Sequence, residues 1–163
     1  MENNQLIKGS CKCGQVKYQI TDKPLFTQAC HCKDCKVITG SSYVVNTSVL
    51  ENTLKLEGEV SSAKLTAGSG AASRAFFCIK CGTYIYTDYD SAVGRLTVRT
   101  KTFEDPDKFP PQAHIFIKDK DPWLNLSENV NCFEEMYDPK VTWPEESLNR
   151  IKDYLKIKKN KSQ

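Results

Sequence analysis

The chain has 163 residues, 39% of them hydrophobic and 26% charged, with a formal net charge of +3. That is enough for one domain around a single core, and ordinary for a globular protein. No apolar run approaches the roughly 20 residues that span a bilayer, and "MENNQLIKGS" lacks the apolar segment of a secretory signal, so the expectation is a cytosolic or nuclear protein with no membrane partner.

In chain order the pattern is mostly β. "VKYQI" (16–20) sets Val16, Tyr18 and Ile20 on one face, and "SSYVVNTSV" (41–49) is β-branched. "TLKLEGEV" (53–60) alternates Leu54 and Leu56 before a glycine and Val60. "TAGSGAAS" (66–73) is small and flexible, a turn or mobile loop near a site. "RAFFC" (74–78) and "TYIYTDY" (83–89) flank a cysteine turn, and "RLTVRT" (95–100) and "AHIFIKD" (113–119) are further strand candidates. "EDPDKFPPQ" (104–112) has three prolines, which exclude a central strand. One helix is expected late, with Pro144 at its first position, Glu145 and Glu146 in its first turn, and Leu148, Ile151 and Leu155 on one stripe. Residues 150–163 carry six basic side chains and one acid, which leaves the remainder slightly acidic. Such a body has no electrostatic reason to hold nucleic acid, and the basic end reads as a solvated, frayed terminus.

Seven of the eight cysteines fall in three clusters: Cys11 with Cys13, Cys30 with Cys32 and Cys35, and Cys78 with Cys81. Residues two or three apart rarely bridge without strain, so in a reducing compartment this spacing points to metal, above all zinc. "FFCIKCGTYIY" reads as a knuckle between two strands, with Gly82 free to take a positive φ after the second ligand. "GSCKCGQVKY" repeats the arrangement with Gly14, so Cys11, Cys13, Cys78 and Cys81 are assigned to one closed, structural zinc.

Cys30, Cys32 and Cys35 then remain as three ligands with a vacant position, the pattern of a catalytic zinc. Three other residues compete for that position. Cys132 is the unclustered cysteine, His31 sits awkwardly between two ligands, and His114 begins a predicted strand.

These clusters carry a family resemblance. "GSCKCGQVKY", "CHCKDCKVITGSSY", "FFCIKCGTYIY", "GRLTVR" and "AHIFIKDKDPWL" resemble, in order, the glutathione-dependent formaldehyde-activating enzymes, a family that includes centromere protein V-like domains. The resemblance runs from about residue 8 to residue 126, and Cys132 lies outside its pattern. It implies a mainly β, β-tent zinc fold of short antiparallel sheets with one C-terminal helix. The organisation expected is a domain over 1–143, with a helix and basic tail over 144–163 attached to it.

The resemblance also implies two zinc ions per chain, a structural one at Cys11, Cys13, Cys78 and Cys81 and a catalytic one at Cys30, Cys32 and Cys35. The expected activity is carbon–sulfur lyase chemistry on a glutathione–aldehyde adduct, with S-hydroxymethylglutathione formed from glutathione and formaldehyde. His114 is a candidate for proton transfer. Lys33, Lys36, Arg74 and Lys118 are candidate partners for the carboxylates of a glutathione-like ligand. Gly40 and Ser41 suit a sharp turn under the metal, and Trp123 is placed to wall the pocket, while Trp143 reads as packing. The competing readings are a non-enzymatic zinc module for protein or nucleic acid, and redox work by Cys35 or Cys132.

Overall fold

The computed structural model describes residues 6–66 and 68–161. Eleven strands and three α-helices follow one another: β1 (Ile7–Ser10), β2 (Lys17–Ile20), β3 (Phe26–Cys30), α1 (Lys33–Thr39), β4 (Val44–Leu50), β5 (Leu54–Glu57), β6 (Val60–Thr66), β7 (Ala72–Cys78), β8 (Tyr84–Tyr89), β9 (Arg95–Arg99), β10 (Ala113–Ile115), β11 (Asn131–Cys132), α2 (Pro139–Thr142) and α3 (Glu145–Lys161). The protein is mainly β, in two sheets. One has three strands in the order β1-β2-β5; the other has eight, in the order β11-β10-β3-β4-β9-β8-β7-β6.

Two apolar clusters lie on either side of the large sheet's middle strands. The first gathers Val16, Tyr18 and Ile20 of the small sheet against Val49, Ile85 and Val98 of the large one, and includes Cys11 and Cys78. The second holds Leu25, Phe26, Leu50, Ile115, Tyr137 and Trp143, and includes Cys30 and Cys32. Strand β4 serves both, because successive side chains point to opposite faces: Val49 goes to the first cluster and Leu50 to the second. Helix α3 covers the second cluster with Leu148, Ile151 and Tyr154. Its Ser147 hydroxyl donates to the Leu25 carbonyl at 2.7 Å, and Arg150 pairs with Asp22 at 2.8 Å.

A polar row crosses the large sheet on the face toward the second cluster. Gln28 of β3 stands opposite Asn46 of β4, which stands opposite Arg99 of β9; one step along, Phe26, Ser48 and Thr97 align in the same way. No helix among the described residues is long and apolar enough to cross a membrane.

The predicted strands are present, with differences at their edges. "AHIFIKD" pairs only through Ile115, then Phe116 takes a left-handed φ of 56° and a 3-10 turn follows. Strand β10 runs parallel to both β3 and β11, so the large sheet is not wholly antiparallel. The long connection from β3 to β10 makes that pairing reachable. Strands β1, β3 and β11 were not expected, nor were α1 and α2, and the stretch 53–60 breaks at Gly58 so that a separate β6 begins at Val60. The end of the chain, expected to fray, is helical through Lys161; residues 162–163 of that reading lie outside the described residues, as do residues 1–5 of the opening segment and Ala67 of the 66–73 loop.

Candidate metal centres and the cysteine cleft

The turn after β1 and the turn between β7 and β8 approach each other. Each closes on a glycine in the left-handed region, Gly14 with φ 75° and Gly82 with φ 70°, and each glycine N–H reaches back to the carbonyl of the first cysteine. A side chain at either position would strain the turn. The sulfurs of Cys11, Cys13, Cys78 and Cys81 therefore converge, all within 4.8 Å of one another. Cys11 and Cys13 lie 3.5 Å apart, and Cys13 and Cys78 3.8 Å. Four thiolates around zinc at about 2.3 Å stand roughly 3.8 Å apart, so this donor set fits a tetrahedral thiophilic cation. The Val16 N–H donates to Cys11 Sγ at 3.2 Å, and Cys81 Sγ lies 3.1 Å from the Thr83 hydroxyl. Such hydrogen bonds orient and stabilise thiolate ligands.

The second group forms where β3 ends and α1 begins. Cys30 is the last residue of β3, and Cys32 is the N-cap of α1 with an extended backbone. Cys35 follows one turn later, and its N–H donates to Cys32 Sγ at 3.4 Å. The three sulfurs again lie within 4.8 Å of one another. Among the described residues the group stops at three, since no fourth histidine, cysteine or carboxylate joins it. The Cys32 thiol is pushed far below the usual range by hydrogen bonds from Cys30 and Cys35, then by the backbone N–H groups of Cys35 and Gly68. The same neighbours push Cys30 up. The three thiols are therefore strongly coupled, with Cys32 favoured to carry the negative charge.

This trio lines a cleft of about 160 Å³. One wall is the polar row of the large sheet, with Gln28, Asn46, Ser48 and Thr97; the other is apolar, with Ile115, Phe116 and Trp143. Gly68 and Ser69 of the β6–β7 loop close over it. The small-residue loop expected near a site is therefore beside the cysteines.

Several candidates from the sequence lie elsewhere. His114 faces away from the cleft lining and is buried against His31, with Nδ1 2.8 Å from His31 Nε2. Neither histidine joins the trio, and Cys132 is exposed on edge strand β11. Lys33 is exposed and lies 3.8 Å from Asp119. Lys36 is held by Asp121 at 2.6 Å and Lys118 by Glu135 at 2.5 Å. Arg74 is exposed on β7, and Trp123 is 69% exposed. Gly40 caps α1 and Ser41 lines a separate groove with Tyr43 and Tyr84, so neither borders the cysteine cleft.

The residues that do border the cleft were hidden in plain strands. Trp143, read as packing, is 6% exposed and forms part of the wall. Arg95 sits over its ring at 4.9 Å. Period-two alternation in "RLTVR" places Arg95, Thr97 and Arg99 on one face of β9, which was the signal available.

The family model for the glutathione-dependent formaldehyde-activating enzyme matches residues 6–119. The chain belongs to that family. The matched stretch contains all seven clustered cysteines and ends before β11, α2 and α3. A solved protein of Rhodobacter sphaeroides aligns at 19% identity with a TM-score of 0.48, covering 60% of this chain and 87% of that one. Among curated proteins, none gives a significant match.

Proposed function

We propose that this protein joins a thiol to formaldehyde at the cleft of Cys30, Cys32 and Cys35, and reverses the step as a carbon–sulfur lyase. Glutathione is the thiol that the family description supplies. The observation that carries the reading is that three sulfurs, one short of a closed tetrahedron, open onto a cleft with one polar and one apolar wall. In this reading Cys30, Cys32 and Cys35 hold one zinc and Cys11, Cys13, Cys78 and Cys81 another, two per chain. Bound to the trio, zinc supplies the positive charge that keeps an incoming thiol ionised near neutral pH, where a free thiol with a pKa of about 8.5 is mostly protonated.

The rest falls to the protein. The thiol sulfur would sit beside Cys30, Cys32 and Cys35, and its carbon-bearing arm would lie along the cleft. The amides of Gln28 and Asn46 and the hydroxyls of Ser48 and Thr97 can donate to the aldehyde oxygen or to peptide groups of the thiol. Phe116 and Trp143 exclude water from the apolar side. A new carbon–sulfur bond forms, the carbonyl π pair moves to oxygen, and the proton released by the thiol ends on that oxygen. Atoms balance without any oxidant. Holding both reactants in one cleft is the main source of acceleration, because the uncatalysed addition is already facile.

Residues 6–161 function as one unit in this reading, with α3 roofing the apolar cluster under the cleft. A reducing, glutathione-rich cytoplasm is the matching compartment. The deciding experiment is two-dimensional exchange NMR of glutathione and formaldehyde with and without the zinc-loaded protein. Faster exchange into S-hydroxymethylglutathione, lost in Cys35→Ser, supports the reading; exchange at the uncatalysed rate ends it.

A further inference from the structure

Arg95 is a half-buried cation with no anion. Its guanidinium lies 4.9 Å from the centroid of the Trp143 ring. Among the described residues it makes no ion pair, and its side chain makes no hydrogen bond to protein. A cation–π contact with an indole uses none of the N–H groups of the fork, and those groups match a carboxylate in the plane of the guanidinium. Burial pushes the Arg95 pKa down, which marks a charged form short of compensation.

The surroundings narrow what fits. The cleft lining contains no aspartate or glutamate and, besides Arg95, no lysine or other arginine. The other cations first considered for substrate carboxylates are committed or remote: Lys36 and Lys118 are paired, and Lys33 and Arg74 lie outside the cleft. The hydroxyls of Ser91 and Thr97 also line the cleft, ready to take the second lone pairs of a bound carboxylate.

We propose that Arg95, lying over the Trp143 ring, is the carboxylate anchor of the cleft, so that the site takes thiols bearing an acid group and sets them with sulfur toward Cys30, Cys32 and Cys35. The inference rests on the proposed function for the role of the sulfur, but concerns a different contact. It makes the cleft selective for a thiol with a free carboxylate over the same thiol with that carboxylate blocked, since among the described residues no lysine or other arginine lines it.

The test is a double-mutant-style cycle read by calorimetry on the zinc-loaded protein, with no formaldehyde present. Glutathione and its diethyl ester are titrated into wild type, Arg95→Gln and Arg95→Lys. Wild type should bind glutathione about tenfold to a hundredfold more tightly than the ester, the range for a charge-assisted forked pair. Arg95→Gln should bind both at about the ester's affinity, with a remaining difference under twofold. Arg95→Lys keeps the charge and loses the fork, and should fall between; it serves if Arg95→Gln does not fold.

A preference for glutathione that survives undiminished in Arg95→Gln, or a wild type that binds neither compound, overturns the proposal. The two readings separate cleanly. Coupling through Arg95 without turnover of formaldehyde would remove the enzymatic reading and leave the anchor. Turnover with an unchanged ester penalty in Arg95→Gln would do the reverse.

Discussion

His31 Nε2 lies 2.8 Å from His114 Nδ1, at the point where the chain leaves β3 beside β10. Both rings are buried, and they stack at 5.1 Å with Tyr43 beside His31 at the same distance. One proton serves the contact, so one ring donates and the other accepts. Burial, then the charge of a protonated His114, then Lys120 and Lys36 push His31 down to about 4; burial also pushes His114 down. The pair is neutral when folded, whereas the unfolded chain takes up protons below about 6.5. Stability that is complete above pH 6.5 therefore falls as pH drops toward 4. His114→Phe keeps the ring but leaves His31 Nε2 unpaired. It should cost about 1–3 kcal/mol at pH 7.5, and the gap to wild type should narrow below pH 6.5. Urea midpoints of both proteins from pH 8 to pH 5 measure it. The difference between the curves carries the test, because metal-bound thiolates also take up protons in acid. A gap constant with pH refutes it.

The two cysteine groups should fail differently. Cys78 is 1% exposed, sits in the first apolar cluster, and joins a turn more than 60 residues from Cys11 and Cys13. Cys78→Ser should lose the cooperative fold, because metal binding free energy there is folding free energy. Cys32→Ser should stay folded, keep one zinc per chain and lose thiol binding. Metal content by mass spectrometry and near-ultraviolet circular dichroism distinguish the cases. Equal unfolding of both variants would make the trio a second structural site.

Gly68 touches the trio from above. A β-carbon there would stand 2.7 Å from Cys32 Cβ and 2.8 Å from Cys32 Sγ, both too close for ordinary contact. Gly68→Ala must therefore lift the β6–β7 loop and withdraw the N–H that helps hold Cys32 as thiolate. The loop lies at the surface, so global stability should change by less than about 1 kcal/mol. Metal affinity at the trio should fall about tenfold, the usual cost of a lost outer contact, as read by chelator competition. Unchanged affinity would mean the loop yields freely.

The convergence of the cysteine clusters was legible in the sequence because their spacing is local: two cysteines over a tight turn converge whatever the rest of the chain does. The mainly β pattern was legible for strands such as β2 and β9, whose alternation shows in a few residues. Strand β3 was missed because "FTQAC" mixes Thr27 and Gln28 into a buried position. Its polar groups are satisfied across the sheet, Thr27 by the Thr47 hydroxyl at 3.0 Å and its own N–H by the Gln112 side chain at 3.1 Å. Helix α1 was missed because Val37, Ile38 and Thr39 favour strand; its caps at Cys32 and Gly40 decide it. The cleft was invisible for a different reason. Arg95, Asn46, Gly68 and Trp143 come from four separate segments, brought together by the pairing of β4 with β9, by the β6–β7 loop and by the packing of Trp143 in the second apolar cluster.

Arg99 shows how that pairing creates electrostatics that no local pattern announces. It is 5% exposed and its guanidinium lies 3.7 Å over the Tyr84 ring. It donates to the side chains of Asn46 and of Thr87, yet its Nε has no partner and no carboxylate pairs with it among the described residues. A buried cation of this kind is costly unless negative charge lies near. The cysteine trio is the candidate source: Asn46, which accepts from Arg99, lines the trio's cleft, and the Arg99 charge pulls against the upward shift of the Cys35 thiol. Three thiolates holding a dication would carry one net negative charge, which a fixed positive charge alongside would balance; a bound thiolate substrate would add a second, which it would halve. Arg99→Met should lower metal affinity at the trio by about tenfold, and Arg99→Lys by less, since a tenfold change corresponds to about 1.4 kcal/mol of lost attraction. The comparison is made by chelator competition on folded protein, with the four-cysteine centre as internal control. If Arg99→Met and Arg99→Lys weaken the trio equally, charge is not what Arg99 contributes, and its hydrogen bonds to Asn46 and Thr87 become the whole of its role.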